Sequence, residues 1–180
     1  MSEVPFSKNS HVRVIKEVAR GLSLAKKLNV YVELGIRKGP TFNEVAPLAK
    51  VAHAIDTASK CLNFIKHNKN LKWHCKTSTE FLDNYSGPPF DLVFIDASHV
   101  HKDSLNDFKK SFELTREGGM LILHDTYPPD KKYTSIHFCG DTYKTAEYIR
   151  DNYLDRCETI TLPFYFGLTV VRKTTKQLGW

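Results

Sequence analysis

Four carboxylates, Glu33, Asp56, Asp96 and Asp125, each close a short apolar run, and His124 stands beside the last of them. Any one could be an ordinary helix cap or loop acid, because Asp is common in such places. Four in a row, each at a strand end, point instead to one site that uses them together. Carboxylates gathered at a sheet edge can accept hydrogen bonds from ligand hydroxyls, neutralise a cation, or hold a metal ion. The Asp96-Ala97-Ser98-His99-Val100-His101 stretch adds two histidines directly after the third acid. His99 reads either as a base or ligand at the mouth of the site or as a surface residue opening a helix. His101 reads as surface. For His124 a metal-ligand role and a packing role stand side by side. An imidazole suits zinc, manganese or iron better than magnesium.

The elements that must position these groups follow from the hydrophobic pattern. Residues 1–10 form a loose lead-in. His11 to Leu28 carries apolar residues at helical spacing, with Arg13, Lys16 and Glu17 between them. Strands are predicted at Val30–Leu34, Lys50–Ile55, Leu71–Cys75, Phe90–Asp96 and Met120–Leu123. Helices are predicted between them at Pro40–Ala49 (short or kinked at Pro47), Ser59–Lys69, Thr77–Tyr85 and Val100–Arg116. Thr77 and Glu80 form a capping box, and Gly118-Gly119 would end the long helix. A Pro-containing loop over 126–141 follows as a candidate substrate loop, then a helix over 143–153. Two closing strands, Glu158–Leu162 and Phe166–Arg172, flank a Pro163-Phe164 turn and would pair antiparallel. Trp73 and Trp180 are read as packing residues. Alternating strands and helices imply one α/β doubly wound domain over 1–180, whose ligand sits beyond the carboxyl ends of the strands.

Gly35 and Gly39, four apart after Glu33 and just before Pro40, mark a tight strand–turn–helix. Glycines there let a ligand approach the backbone; the alternative reading is that they only make the turn. Asp56, ending the second strand, is placed to take both hydroxyls of a ribose. The spacing G-x-x-x-G lacks the pyrophosphate cradle of dinucleotide sites, so a nucleoside without phosphates fits better than NAD.

Taken in order, Glu33-Leu34-Gly35-Ile36-Arg37-Lys38-Gly39, Asp56, the Phe90–Asp96 run and the Gly118–Asp125 run resemble class I S-adenosylmethionine-dependent methyltransferases. More narrowly, the chain resembles small-molecule O-methyltransferases of the cephalosporin-hydroxylase and macrolide-sugar type, over about residues 28–172. The resemblance implies a seven-stranded Rossmann-like sheet of order 3-2-1-4-5-7-6 with its last strand antiparallel. It implies S-adenosyl-L-methionine as cofactor. Glu33 and the Gly35–Gly39 loop, including Ile36 and Arg37, would hold the methionine part and adjoining ribose. Asp56, with Thr57 beside it, would take the ribose hydroxyls. Thr77 and Ser78 would lie near the adenine, and Asp96 by the sulfonium and the acceptor. Catalysis would fall to Asp96, His99 and Asp125, and a divalent metal, if one is used, to Asp96, His124 and Asp125. The chain departs from both familiar metal patterns, carrying Asp125-Thr126 where catechol-type enzymes have Asp-Asn and His124-Asp125 where sugar-type enzymes have two acids. A non-catalytic nucleoside-binding module of the same fold and an NAD-dependent oxidoreductase are the alternatives.

With 41% hydrophobic and 26% charged residues, the composition is that of a water-soluble globular domain rather than a membrane or disordered chain. The net charge of +6 favours acidic partners only weakly, and no nucleic-acid motif accompanies it. A small-molecule acceptor, not nucleic acid or a membrane, is the expected partner. Neither a basic start nor an apolar signal core opens the sequence, and the scattered Cys61, Cys75, Cys139 and Cys157 suit a reducing compartment. The cytoplasm is therefore expected. Tyr127, Tyr133 and Phe138 would either line an aromatic acceptor pocket or join two copies in a homodimer.

Overall fold

The computed structural model describes residues 10–163 and 165–174. The lead-in over 1–9, Phe164 of the closing turn and Trp180 lie outside the described residues. The elements are α1 (Ser10–Leu24), β1 (Val30–Leu34), α2 (Pro40–Val45), β2 (Val51–Asp56), β3 (Leu71–Cys75), α3 (Ser78–Asp83), β4 (Phe90–Ile95), α4 (His101–Leu114), β5 (Thr115–His124), α5 (Tyr143–Asn152), β6 (Cys157–Leu162) and β7 (Leu168–Lys173). They build one seven-stranded sheet of order β3-β2-β1-β4-β5-β7-β6. β1 to β5 run parallel, and β7 is antiparallel to both β5 and β6.

β1 and β4 are buried along their whole length because helices cover both faces. Side chains alternate between the two cores. Val32, Leu34, Val93 and Ile95 meet Phe81, Phe108 and Phe112 of α3 and α4 on one face. Tyr31, Leu92 and Phe94 meet Ile15 and Phe42 of α1 and α2 on the other. β1 and β4 pair Leu34 with Ile95, so their chains leave the sheet side by side at its carboxyl edge. That adjacency places Glu33, Gly35 and Asp96 in one neighbourhood.

The structure departs from the sequence expectations in three places and bears out the shortening expected at Pro47. α1 ends at Leu24 rather than Leu28: Lys26 turns left-handed (φ 56) and the Lys27 N–H reaches back to the Leu22 carbonyl at 2.8 Å. Pro47 restricts α2 to Val45, and Ala46–Leu48 continues as 3₁₀ helix. The helix expected over 59–69 is only a 3₁₀ turn over Ser59–Phe64. There Asn43 accepts from the Lys66 N–H and donates to the Phe64 carbonyl, and Asn68 accepts from the Asn70 N–H, so side chains take the bonds a helix would need. Finally, Gly118-Gly119 does not end α4, because β5 already begins at Thr115. A Cβ at Gly119 would lie 2.5 Å from Thr115 Cγ2, and the β4–β5 register shifts between Phe90 and Leu92. The glycines make a bulge in a strand, not a helix cap.

Candidate active site

Beyond the ends of β1, β2 and β3 lies a cleft of about 440 Å³, lined by Gly35, Asp56, Thr57, Thr77, Ser78 and Ala97 among others. Asp56 organises its floor. One carboxylate oxygen accepts the N–H groups of Ile36 and Arg37, each at 3.0 Å, and the other accepts that of Ala58 at 2.8 Å. Burial alone would raise this carboxyl, but the N–H donors of Arg37, Ala58 and Ile36 outweigh it and hold it below its ordinary value. A carboxylate offers about four lone-pair sites; three take backbone N–H groups, and the Cys61 thiol hydrogen-bonds the carboxylate as well. Thr77 caps α3 through a reciprocal box with Glu80, and Ser78 donates to Asp107 at 2.7 Å.

The glycine loop is shaped by the protein itself. At Gly35 φ is +90°, and a Cβ would lie 2.3 Å from the Asp96 carbonyl oxygen. Gly39 (φ 64) is the left-handed residue before α2. Glu33 is only 1% exposed and lies beneath the cleft wall, where the Tyr31 hydroxyl donates to it. Burial holds its carboxyl well above the usual range, against the hydrogen bonds from Tyr31 and the Phe42 N–H. The Ile36 side chain is in the core, so this residue serves the site through its N–H.

A second cluster stands at the ends of β4 and β5. One ligand atom from each of Asp96, His124 and Asp125 lies within 4.8 Å of the others. His124 Nδ1 faces Asp96 Oδ1 at 3.3 Å and Asp125 Oδ1 at 3.4 Å, and its Nε2–H donates to the Tyr165 carbonyl at 3.1 Å. Burial opposes a charge on this ring, but Asp96 and Asp125 prevail and push it up to about 10. His99 bridges Asp125 Oδ2 (3.1 Å) and the Ile136 carbonyl (3.2 Å). Acceptors face both ring nitrogens of His124, an arrangement that suits the doubly donating imidazolium. Asp125 adopts φ 59, which turns its carboxylate back over the strand end.

The structure thus brings Asp96, His99, His124 and Asp125 together, and groups Gly35, Asp56, Thr57, Thr77 and Ser78 around the neighbouring cleft. Arg37 follows the loop with an exposed side chain, and Gly39 turns toward Asn43 rather than into the cleft. His101 instead fixes the start of α4, through Asp141 and Thr145. Three residues of the cluster went unforeseen. His11 packs tilted against His124, ring centroids 4.4 Å apart, and stacks on Tyr165 at 5.2 Å; burial, then the charge of His124, lowers it to about 4. Cys139 is fully buried, its thiol pushed up by burial and by Asp125. The signal for His11 was present, since it shares the buried helical stripe of Ile15 and Ala19. Tyr165 and Cys139 carry no pattern that would reveal them.

The fold is shared with known proteins. The chain is similar in structure to the O-methyltransferase from Bacillus cereus in complex with SAH: TM-score 0.73, 14% identity, covering 95% of this chain and 84% of that one. It is similar to the SAH-bound methyltransferase of Podospora anserina, with TM-score 0.74 and 15% identity over 94% of this chain and 80% of that one. The N-methyltransferase NodS from Bradyrhizobium japonicum superposes with TM-score 0.64 and 15% identity, over 94% of this chain and 99% of that one. At such identities the likeness is one of fold. No curated protein matches the sequence. A family profile described as a methyltransferase domain matches residues 32–126, more than half of the chain and all the strand ends discussed above except Lys173 and Leu162. The chain belongs to this methyltransferase domain family.

Proposed function

We propose that the protein is an S-adenosyl-L-methionine-dependent methyltransferase acting on a hydroxyl of a small molecule. The observation that carries the reading is the juxtaposition of two sites at one sheet edge. A nucleoside-sized cleft floored by Asp56 stands next to an acid–histidine cluster, with Gly35 packed close against the Asp96–Ala97 backbone where they adjoin. SAH-bound methyltransferases of the same fold support the cofactor assignment.

In this reading a ribose hydroxyl takes the place of the Cys61 thiol on the Asp56 carboxylate, and Thr57, Thr77 and Ser78 supply the polar wall beside the base. Methyl transfer from a sulfonium is an in-line displacement: the acceptor oxygen bonds the methyl carbon as the carbon–sulfur bond breaks, and the hydroxyl proton departs. The protein chiefly has to align the partners and exclude water. Loop 126–141 is fastened over the cluster for this purpose, since the Asp141 N–H donates to the His99 carbonyl at 3.1 Å.

The donor set at Asp96, His124 and Asp125 fits a divalent ion of borderline softness. His124 would present Nδ1 while its Nε2–H stays on the Tyr165 carbonyl, the usual outer support of a ligating histidine. An ion held there supplies acidification of an acceptor hydroxyl. Asp125 would be steadied by His99 through its second oxygen. Both nitrogens of His99 are already engaged in this arrangement, Nε2 beside Asp125 and Nδ1 against the Ile136 carbonyl. That same commitment of both rings favours, as a second reading, a module that binds the cofactor without turnover.

Calorimetric titration of S-adenosylhomocysteine tests the cofactor site. One-to-one binding is expected, and it should be lost in Ala97→Trp, which fills the cleft from an exposed position. Absence of binding to the unmodified protein would refute the reading. Transfer of a labelled methyl group to hydroxyl compounds, lost in Asp125→Asn while S-adenosylhomocysteine still binds, separates the enzyme from the module.

A further inference from the structure

A second cleft, of about 350 Å³, opens between β2, β3 and α3, toward the opposite end of the strands from the acid–histidine cluster. Its apolar walls include Val30, Val51, Phe81 and Tyr85, and its polar groups are His53, His74, Lys72 and Lys76 with the neutral Asn84 and Ser86. No carboxylate lines it. His53 Nδ1 and His74 Nε2 are 3.0 Å apart, with the rings stacked at 5.2 Å. In a neutral pair one ring donates and the other accepts through these atoms. Whichever donates, the accepting ring carries its own proton on its other nitrogen, so one N–H always points away from the pair. Neither outer nitrogen, His53 Nε2 or His74 Nδ1, has a hydrogen-bond partner among the described residues.

The surrounding charge is one-sided. Between Thr57 and Thr79 the sequence holds five lysines and no acid. Among the described residues none of Lys60, Lys66, Lys69, Lys72 and Lys76 forms an ion pair. Glu80 lies within the field of Lys76, and it and Asp91 are already engaged. Glu80 closes the Thr77 cap, and Asp91 accepts the Asn29 and Val30 N–H groups and pairs with Arg116. The lysine field reaches the rings: His53 is lowered to about 4 by burial, by His74 and by Lys72, and His74 is lowered by burial, Lys76 and Lys72.

We propose that this cleft is a second ligand site, distinct from the cofactor cleft, for a small organic phosphate whose anionic head lies between Lys72, Lys76 and the His53–His74 pair and whose ring-sized apolar body rests on Phe81 and Tyr85. Lys76 lines both clefts and forms the wall between them. A ligand here would therefore touch a residue of the cofactor cleft without entering it.

Phenyl phosphate is the probe, because it carries the head and the body without an adenine that could enter the cofactor cleft. The readout is the imidazole resonances of His53 and His74 in ¹⁵N-labelled protein. Saturable shifts of both rings are expected with phenyl phosphate and not with phenol at equal concentration. Lys72→Glu, at an exposed position, should weaken the interaction by about tenfold or more, since it replaces an attraction at close range by a repulsion. Ala97→Trp should leave it unchanged. Loss in Ala97→Trp would assign the probe to the cofactor cleft and overturn the proposal. So would equal shifts from phenol, shifts that survive Lys72→Glu undiminished, or no shift at all. None of these outcomes depends on whether S-adenosylhomocysteine binds.

Discussion

Replacing Asp56 by alanine should destabilise the protein before any ligand is added. Its carboxylate accepts three backbone N–H groups, those of Ile36 and Arg37 at 3.0 Å and of Ala58 at 2.8 Å. A hydrogen bond to a charged acceptor contributes about 1.5–3 kcal/mol when it is shielded. The Arg37 N–H is exposed and can turn to water, so the three together are worth about 3 kcal/mol rather than the full sum. For a domain of this size about 1 kcal/mol moves the midpoint by roughly 2–4 °C, so Asp56→Ala should unfold about 6–12 °C lower than wild type. Asp56→Asn keeps one acceptor oxygen and should lose about half as much. Because the folded carboxyl is held below its ordinary value, its contribution is present above the unfolded carboxylate range and disappears as pH falls through the folded value. Scanning calorimetry of the ligand-free variants at neutral pH is the assay. A midpoint for Asp56→Ala within about 2 °C of wild type would show that the carboxylate does not hold the loop. The same reasoning explains why lost cofactor affinity in Asp56→Ala cannot be assigned to the ribose contact alone, and why Ala97→Trp is the cleaner probe of the cleft.

Gly35→Ala should cost about 2–4 kcal/mol in urea unfolding, from the clash with the Asp96 carbonyl and the positive φ. Gly21→Ala, mid-helix with open space around it, should gain about 0.5–1 kcal/mol, and a Gly35 variant as stable as wild type would contradict the geometry. His53 is lowered to about 4, so between the unfolded value near 6.5 and pH 4 the unfolded chain binds more protons and stability falls as pH falls. The loss from His53 alone approaches about 3 kcal/mol at the acid end; urea midpoints should show a shallower pH slope in His53→Gln, with His11 leaving a residual slope of the same sign. An unchanged slope would count against a buried neutral His53. Manganese titrated at pH 7–8 in two buffers of different ionisation enthalpy should release about one proton per ion, because His124 is pushed up to about 10 and must shed its Nδ1 proton to ligate. His124→Phe should abolish both the binding and the release, and binding without proton release would exclude His124 as a ligand.

Most of the fold was legible because one physical pattern repeats. Apolar runs short enough for strands, buried on both faces, alternate with amphipathic helices, and that alternation leaves few topologies. The failures come where a residue's usual meaning is overridden by its neighbours. Gly118-Gly119 reads as a helix end, yet close passage of Thr115 and the Phe90 carbonyl makes it a strand bulge. The 59–69 stretch has helical spacing, yet asparagines take its backbone bonds locally. At the site, strand-end acids were visible because a strand end is visible. Tyr165 and His11 arrive from the last turn and the first helix, so only three-dimensional packing brings them to His124.

The glycine loop shows most plainly how the sequence signal can be right for a different reason. Gly35 and Asp56 suggest a backbone opened to a ligand and an acid reserved for it. In the structure Gly35 is required because the chain leaving β4 passes where its side chain would be, and Asp56 spends three of its acceptor sites holding the loop closed. The two roles are compatible, since a loop pinned by Asp56 presents its cleft without further ordering when a ligand arrives, which lowers the entropic cost of binding. Arg37, Asp125, Tyr165 and Phe166, all left-handed non-glycine residues, gather at the same sheet edge. Such backbone strain persists only where the surrounding contacts over-determine it. Here those contacts are the Asp56 hydrogen bonds, the His99–Asp125–His124 chain and the Tyr165 carbonyl that holds His124, so the groups proposed to act on the ligand are also those that keep the edge in shape.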